Sequence, residues 1–223
     1  MKKKAFLLSF FVIAFCLVMA FVDGVLMADY FIKSGIKLVL FLGFPLIYAF
    51  FDKELTVKNL FKIEKKGILP AILMGVLVYA VIVGGYFLLR GVFDFTKITG
   101  ALTKNIGVTG KNFVFVSVYI SFVNSLLEEF FFRGFAFLTL SKFVGRKISY
   151  IFSAGVFALY HVAMMIGWFD LPLFLLIMAG LFAGGLIFNF LNEKSKTIYP
   201  SWFLHMFANF AINTVGFILF GII

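Results

Sequence analysis

The sequence predicts an all-α fold: a polytopic helical membrane protein of about seven (seven to eight) transmembrane helices around a polar intramembrane cavity. Three observations carry this reading. The 223 residues are 63% hydrophobic and only 13% charged, with a mean hydropathy of +1.11; soluble domains are nearer half apolar and a quarter charged. Uncharged runs recur at Ala5–Val22, Leu38–Phe51, Gly67–Leu89, Asn112–Leu127, Ile148–Phe169, Leu171–Asn192 and Thr197–Ile223, the fifth and last each holding one His. Most approach the ~20 residues a helix needs to cross ~30 Å of hydrocarbon, without the alternation of a membrane barrel. Finally, Leu126-Leu127-Glu128-Glu129-Phe130-Phe131-Phe132-Arg133-Gly134 places two carboxylates and a guanidinium in one of the most apolar stretches.

The first run follows Lys2-Lys3-Lys4 and has no small-x-small cleavage site. It is longer than the ~7–15 apolar residues of a signal peptide, so it reads as a retained helix. The second run is short, and Lys33 and Lys37 extend it by snorkelling to the outer interface. Pro45 and Pro70 start or kink helices, as membranes tolerate, and Gly84-Gly85 favours close packing. Asp52–Lys66 reads as a solvated, basic cytoplasmic loop anchored at the inner surface. Asp23, Asp29, Glu54 and Asp94 fall near span ends, where charge is ordinary. Residues 1–111 are therefore expected to hold helices 1–3 and little chemistry, and residues 112–223 a core of four helices.

The fourth helix runs from Asn112 past Asn124, Glu128, Glu129 and Arg133 to Ser141. It is too long for a simple span, so it tilts, bends near Gly134 or breaks. The fifth carries Phe157 and His161 four apart, with His161 ~20 Å along the axis from Ile148 at 1.5 Å per residue. The sixth carries Gly180-x-x-x-Gly184 with Gly185, a packing motif. The seventh presents His205 and Asn209 from one face.

Of the 20 Lys and Arg, 13 fall in segments on the N-terminal side, six (Lys33 and Lys37 among them) opposite, and Arg133 within a helix. That bias predicts N-in and C-out, and the net charge of +10 suits an anionic inner leaflet. With no soluble basic domain, no nucleic-acid partner is expected. Cys16 is the single cysteine, which excludes a disulfide framework and a Cys-based zinc site.

Charge at membrane depth costs ~2.5–3.5 kcal/mol per group on translocon scales, so these groups mark a use. Glu129 and Arg133 are four apart and can pair. Glu128 is turned by about 100° and is left free for chemistry, with Asn124 on its own face. Singly, a membrane His or Asn reads as helix-to-helix glue; together, on three helices, these residues read as one polar pocket. Glu128 is the natural general base, His161 activates or orients a water, and His205 and Asn209 donate to a developing oxyanion, worth ~2.7–4 kcal/mol per donor. Such a set amounts to a hydrolase acting on an amide with water as nucleophile. There is no His-Glu-x-x-His, no Gly-x-Ser-x-Gly elbow and no pair of intramembrane aspartates. Glu128, His161 and His205 match catalytic zinc ligation of the His2Glu type, so a divalent metal such as zinc and a metal-free glutamate mechanism both stay open.

Glu128-Glu129-x-x-x-Arg133, Phe157-x-x-x-His161 and His205-x-x-x-Asn209 resemble, in order, the three motifs of the CAAX protease and bacteriocin-processing (CPBP, Abi-type) family, which includes the type II CAAX prenyl endopeptidases. The resemblance covers about residues 113–212. It implies an α-helical membrane fold, counted at eight helices in family members of known architecture, with a catalytic cavity open to the cytosol and to lipid. It further implies that Glu128 and His161 activate water, that His205 and Asn209 stabilise the oxyanion, and that Glu129 pairs with Arg133. Phe157 and Asn124 would support them. The expected partners are the bilayer and a membrane-embedded or lipid-modified (CAAX-like) substrate; the Phe, Lys and Ile content points to a bacterial plasma membrane. Two other readings compete: a non-catalytic scaffold or bacteriocin-immunity partner on the same fold, and a transporter, against which no internal repeat or paired interrupted helix is found.

Overall fold

The structure is a computed structural model that describes residues 2–223, apart from the side chains of Lys65 and Lys66, whose charges were counted above. Among the described residues every regular element is a helix. They run α1 (Lys2–Leu26), α2 (Tyr30–Phe51), α3 (Val57–Leu60), α4 (Lys65–Leu89), α5 (Thr96–Ile106), α6 (Phe113–Lys142), α7 (Arg146–Met165), α8 (Leu171–Ser195) and α9 (Tyr199–Leu219). Seven of these are long and apolar enough to cross a membrane; α3 and α5 are connections. The chain is an all-α polytopic membrane protein, as its sequence predicts.

Helical spacing decides what each span buries. In α1 the buried residues are Ala5, Leu8, Val12, Cys16, Met19 and Val22, a three-and-four stripe, while Phe6, Phe10 and Leu17 face outward. Asp29 caps α2 by accepting from the backbone N–H of Phe31 and Ile32 at 2.9 and 3.0 Å, satisfying two orphan donors of the first turn. Along α2 the buried positions are Lys33, Lys37, Phe41 and Pro45, again four apart. The two lysines therefore do not snorkel outward. They point into the bundle, and the outer loops lose two of the six charges assigned to them.

Helix α6 neither breaks nor bends to a stop at Gly134. It stays helical over 30 residues, with wider π winding at Tyr119–Asn124 and Glu129–Thr139. A Cβ on Gly134 would lie 2.7 Å from Leu60 Cδ1, so the bare glycine admits α3 against α6. The Ile198 N–H donates to the Leu60 carbonyl at 3.0 Å, and the Lys142 ammonium bonds the Glu54 carbonyl. The connection expected to be a solvated anchor thus packs on the bundle through Leu55 and Leu60, both buried.

Stacked aromatics join α2, α6 and α7. Phe41 stacks on Phe131 at 4.0 Å between ring centres and 7° between planes. Tyr160 meets Phe41 at 5.5 Å, and Phe157 meets Phe132 at 5.3 Å. Elsewhere, of the glycines expected to allow close approach, only Gly185 does so, and Gly75 adds one that was not expected. Gly84, Gly85, Gly180 and Gly184 have nothing within 4 Å of a built Cβ, whereas Gly185 would meet Ala154 at 3.0 Å. On α4, Gly75 would meet Phe207 of α9 at 2.5 Å.

Gly75→Ala should therefore lower stability by ~1–3 kcal/mol through overpacking, a fall in Tm of ~2–4 °C per kcal/mol. Gly84→Ala should stay within ~1 kcal/mol of the parent, on the stabilising side. Thermal unfolding of both variants in the same detergent tests the assignment of the α4–α9 contact.

Candidate active site

The middle of α6 carries the acidic residues, Glu128 at the end of an α turn and Glu129 at the start of the second π segment. Glu128, Glu129 and Arg133 are all buried, the last two completely. Four other spans supply their partners: α2 brings Lys37, α7 brings Phe157 and His161, α8 brings Phe188, and α9 brings His205.

Glu129 and Arg133 form the expected ion pair, at 3.4 Å from Nε to Oε2, but the guanidinium is held mainly by rings. Its centre lies 4.1 Å from the Phe157 ring, 4.8 Å from Phe188 and 6.0 Å from Phe132. None of its nitrogens has a hydrogen-bond partner among the described residues. A desolvated guanidinium over aromatic faces gains ~2 kcal/mol, and its planar shape suits a slot between two rings. The second oxygen of Glu129, Oε1, accepts from His205 Nδ1 at 2.9 Å.

Glu128 is not left free, as its position on the helix suggested. Its Oε1 accepts from Lys37 Nζ at 2.5 Å and from Asn124 Nδ2 at 3.0 Å. Lys37 also donates to Asn124 Oδ1 at 2.6 Å. The other oxygen, Oε2, is buried without a hydrogen-bond partner among the described residues. It faces His205 Nε2 at 3.7 Å and His161 Nε2 at 4.0 Å.

The orientation of both rings is fixed from behind. His161 Nδ1 lies 2.7 Å from the Phe157 carbonyl. A carbonyl only accepts, so Nδ1 carries the hydrogen and the neutral ring presents a bare Nε2 toward Glu128. Phe157 also packs its ring on His161, at 4.8 Å between centres. For His205 the Nδ1 hydrogen goes to Glu129, and Phe188 stacks on the ring at 5.3 Å.

The structure thus brings together Glu128, Glu129, Arg133, Asn124, Phe157, His161 and His205. Asn209 is placed differently. One of its amide hydrogens goes to the Ile120 carbonyl at 3.1 Å, which ties α9 to α6; an amide nitrogen has a second to give. Lys37 is the residue that sequence reasoning missed. Its signal was the four-residue spacing of Lys33, Lys37 and Phe41, hidden by treating both lysines as loop charges. Asp23, read as an ordinary span-end charge, is half-buried, its side chain turned inward and paired to Lys33 at 2.7 Å. As for zinc, no group of three His, Cys, Asp or Glu side chains is arranged to hold a metal among the described residues, and an ammonium already occupies Oε1. Glu128, His161 and His205 do not fit as ligands in this arrangement.

Residues 110–211 match the family model described as type II CAAX prenyl endopeptidase Rce1-like. Searches of curated proteins and of solved structures found no match. The match bears out the relationship to the CAAX protease family, a family of proteases. Every site residue from Asn124 to Asn209 falls inside the matched segment; Lys37 falls outside it.

Removing one partner of a buried pair leaves an uncompensated charge, at ~3–5 kcal/mol. Glu129→Gln should therefore lower Tm by ~6 °C or more, at ~2–4 °C per kcal/mol. Arg133→Lys should also destabilise, because a compact ammonium does not fill the slot between Phe157 and Phe188. A Tm for Arg133→Lys equal to the parent's would show that charge alone, and not the planar slot, holds α6 against α7 and α8.

Proposed function

On the premise of its kinship with the CAAX proteases, we propose that this protein is an intramembrane endopeptidase that cleaves peptide bonds of membrane-embedded or lipid-modified substrates by glutamate-activated water. One observation carries the reading: the unpartnered Glu128 Oε2 faces the Nε2 atoms of two histidines at 3.7 and 4.0 Å. Two hydrogen bonds of ~2.8 Å meeting at a right angle span ~4 Å, so one water fits between carboxylate and ring. That water gives a proton to Oε2 while its oxygen attacks the carbonyl carbon, and the carbonyl oxygen becomes an oxyanion. Collapse breaks the C–N bond, and the proton passes from Glu128 to the departing amine. His161 orients the water. The free amide hydrogen of Asn209, one turn further along α9, is the candidate donor to the oxyanion; His205, its Nδ1 hydrogen held by Glu129, would donate from Nε2 only as the imidazolium. No step needs a metal.

A lipid-modified substrate is suited to the apolar outer face of α1 and α2. Between α1 and α2 runs a groove of about 410 Å³ lined by Val18, Ile32, Gly35, Ile36, Val39 and Leu40. Its wall is apolar throughout and lies on the helix that carries Lys37. A hydrocarbon chain suits such a wall by packing, since in a bilayer lipid tails are equally apolar and no transfer from water is gained.

The test is cleavage of quenched prenylated and unprenylated peptides by the purified protein in lipid. Glu128→Gln and His161→Gln should each lower kcat by ~10²–10⁴, the usual share of a positioned acid–base group; both stay folded at the assay temperature, Glu128→Gln with a lowered Tm because Lys37 loses its buried partner. A chelator should leave the rate unchanged. Gly35→Leu, which fills the groove, should raise KM for the prenylated peptide only. A parent protein that cuts nothing, beside a Glu128→Gln protein that still supports the cellular phenotype, would replace the enzyme by a scaffold or immunity partner.

A further inference from the structure

We infer that Lys37 is a positioning residue: it selects which oxygen of Glu128 does the chemistry. The inference rests on the reading of Glu128 as the base. A carboxylate turns readily about its last bond and presents either oxygen. Here the two oxygens are made unequal. Oε1 takes the Lys37 ammonium at 2.5 Å and the Asn124 amide at 3.0 Å. Asn124 in turn accepts from Lys37 at 2.6 Å, so the three side chains close a ring of hydrogen bonds that fixes the carboxylate plane. Oε2 is left unbonded, toward His161 and His205.

The ammonium is itself held in place. Its side chain is 6% exposed. The rings of Tyr160 and Phe41 face it at 5.0 and 5.4 Å, a desolvated cation–π setting. One turn earlier on α2, Lys33 is taken by Asp23 at 2.7 Å. Asp23 is thereby occupied by Lys33, and Lys37 remains for Glu128. A cation present only to neutralise a buried carboxylate would need neither Asn124 nor the two rings. The segment before residue 110, outside the family match, thus contributes a group to the reaction centre.

The experiment uses the full chain in lipid with a quenched peptide, comparing the parent, Lys37→Met, Lys37→Arg and Glu128→Gln. Lys37→Met should lower kcat by ~10²-fold, the cost of losing a fixed geometry at the reacting atom, with KM within about twofold. Lys37→Arg, whose fork can also hold one carboxylate oxygen and Asn124, should recover at least a tenth of the parent kcat. A Lys37→Met kcat within threefold of the parent, a loss expressed in KM instead, or no recovery by Lys37→Arg would each overturn the inference. Thermal unfolding separates it from the reading it rests on. Lys37→Met should lower Tm by ~5–10 °C, and adding Glu128→Gln should restore most of that loss, because the unpaired buried charge is then gone. If no peptide is cleaved but this restoration is seen, the protease reading falls and the grip of Lys37 on Glu128 stands. Additive losses of Tm would remove the grip itself.

Discussion

Two carboxylates on consecutive residues of one membrane helix must both be neutralised without water, and the rest of the structure is arranged to do so. They point to different sides of α6, so no single partner can serve both. Glu129 is met by Arg133 and by His205, and Glu128 by Lys37 and Asn124. With neutral histidines the cluster holds two negative and two positive charges, so no net charge is buried. Each pairing also fixes a helix. Lys37 draws α2 onto α6, His205 draws α9, and the Arg133 guanidinium is clasped by Phe157 of α7 and Phe188 of α8. The desolvation penalty of such groups is repaid only when geometry is good and remaining hydrogen-bonding positions are filled. Glu129 Oε2 and the Arg133 nitrogens, also without hydrogen bonds, at least face each other; Glu128 Oε2 faces two histidine nitrogens instead, and it is the atom to which function is most naturally assigned.

The π winding of α6 contributes to the same end. A π turn shifts hydrogen bonds from i+4 to i+5 and locally changes which carbonyls are available. In the turn at Tyr119–Asn124, the Ile120 carbonyl takes both the Ser125 N–H and the Asn209 amide. Below it, Asn213 donates to the Ser117 carbonyl at 3.1 Å and to the Ser121 hydroxyl at 2.9 Å. Helix α9 is thus bolted along α6 by amides reading backbone, which sets the height at which His205 meets Glu128. Such bonds average only ~0.6 kcal/mol each in membranes, but they are directional, and register is what the site needs from them.

Much of this was legible in the sequence. Seven spans followed from length and composition alone, because hydrocarbon thickness imposes a length that no other fold class shares. The Glu129–Arg133 pair and the placing of His161 and His205 followed from residues four apart on a helix. What was not legible depended on contacts between helices distant in sequence. Lys37 is 91 residues from Glu128, and a lysine seven positions into a helix looks the same from sequence whether it snorkels or turns inward. The aromatic slot around Arg133 was hidden among 35 phenylalanines, of which three contact the guanidinium. The glycine motif on α8 misled because spacing gives a face but not what the face meets: Gly180 and Gly184 meet nothing close, while Gly185 meets Ala154.

Charge pairing across helices also constrains how the chain enters the bilayer. Glu128, Glu129 and Arg133 together would cost α6 roughly 7–10 kcal/mol on translocon scales, against a gain of only ~0.3–0.6 kcal/mol for each Leu, Ile, Phe or Val. Among the seven spans, α6 shares with α9 the lowest hydropathy, 1.4 against 2.9 for α1. Its internal Glu129–Arg133 pair offsets part of that cost at once. The remaining charge, on Glu128, finds its partner on α2, a helix made earlier in the chain. His205 and the Phe188 ring arrive later, on α9 and α8. The order of the chain thus supplies the counter-charge before the carboxylate and its ring neighbours after it. The polar site is consequently a property of the assembled bundle and of no single span.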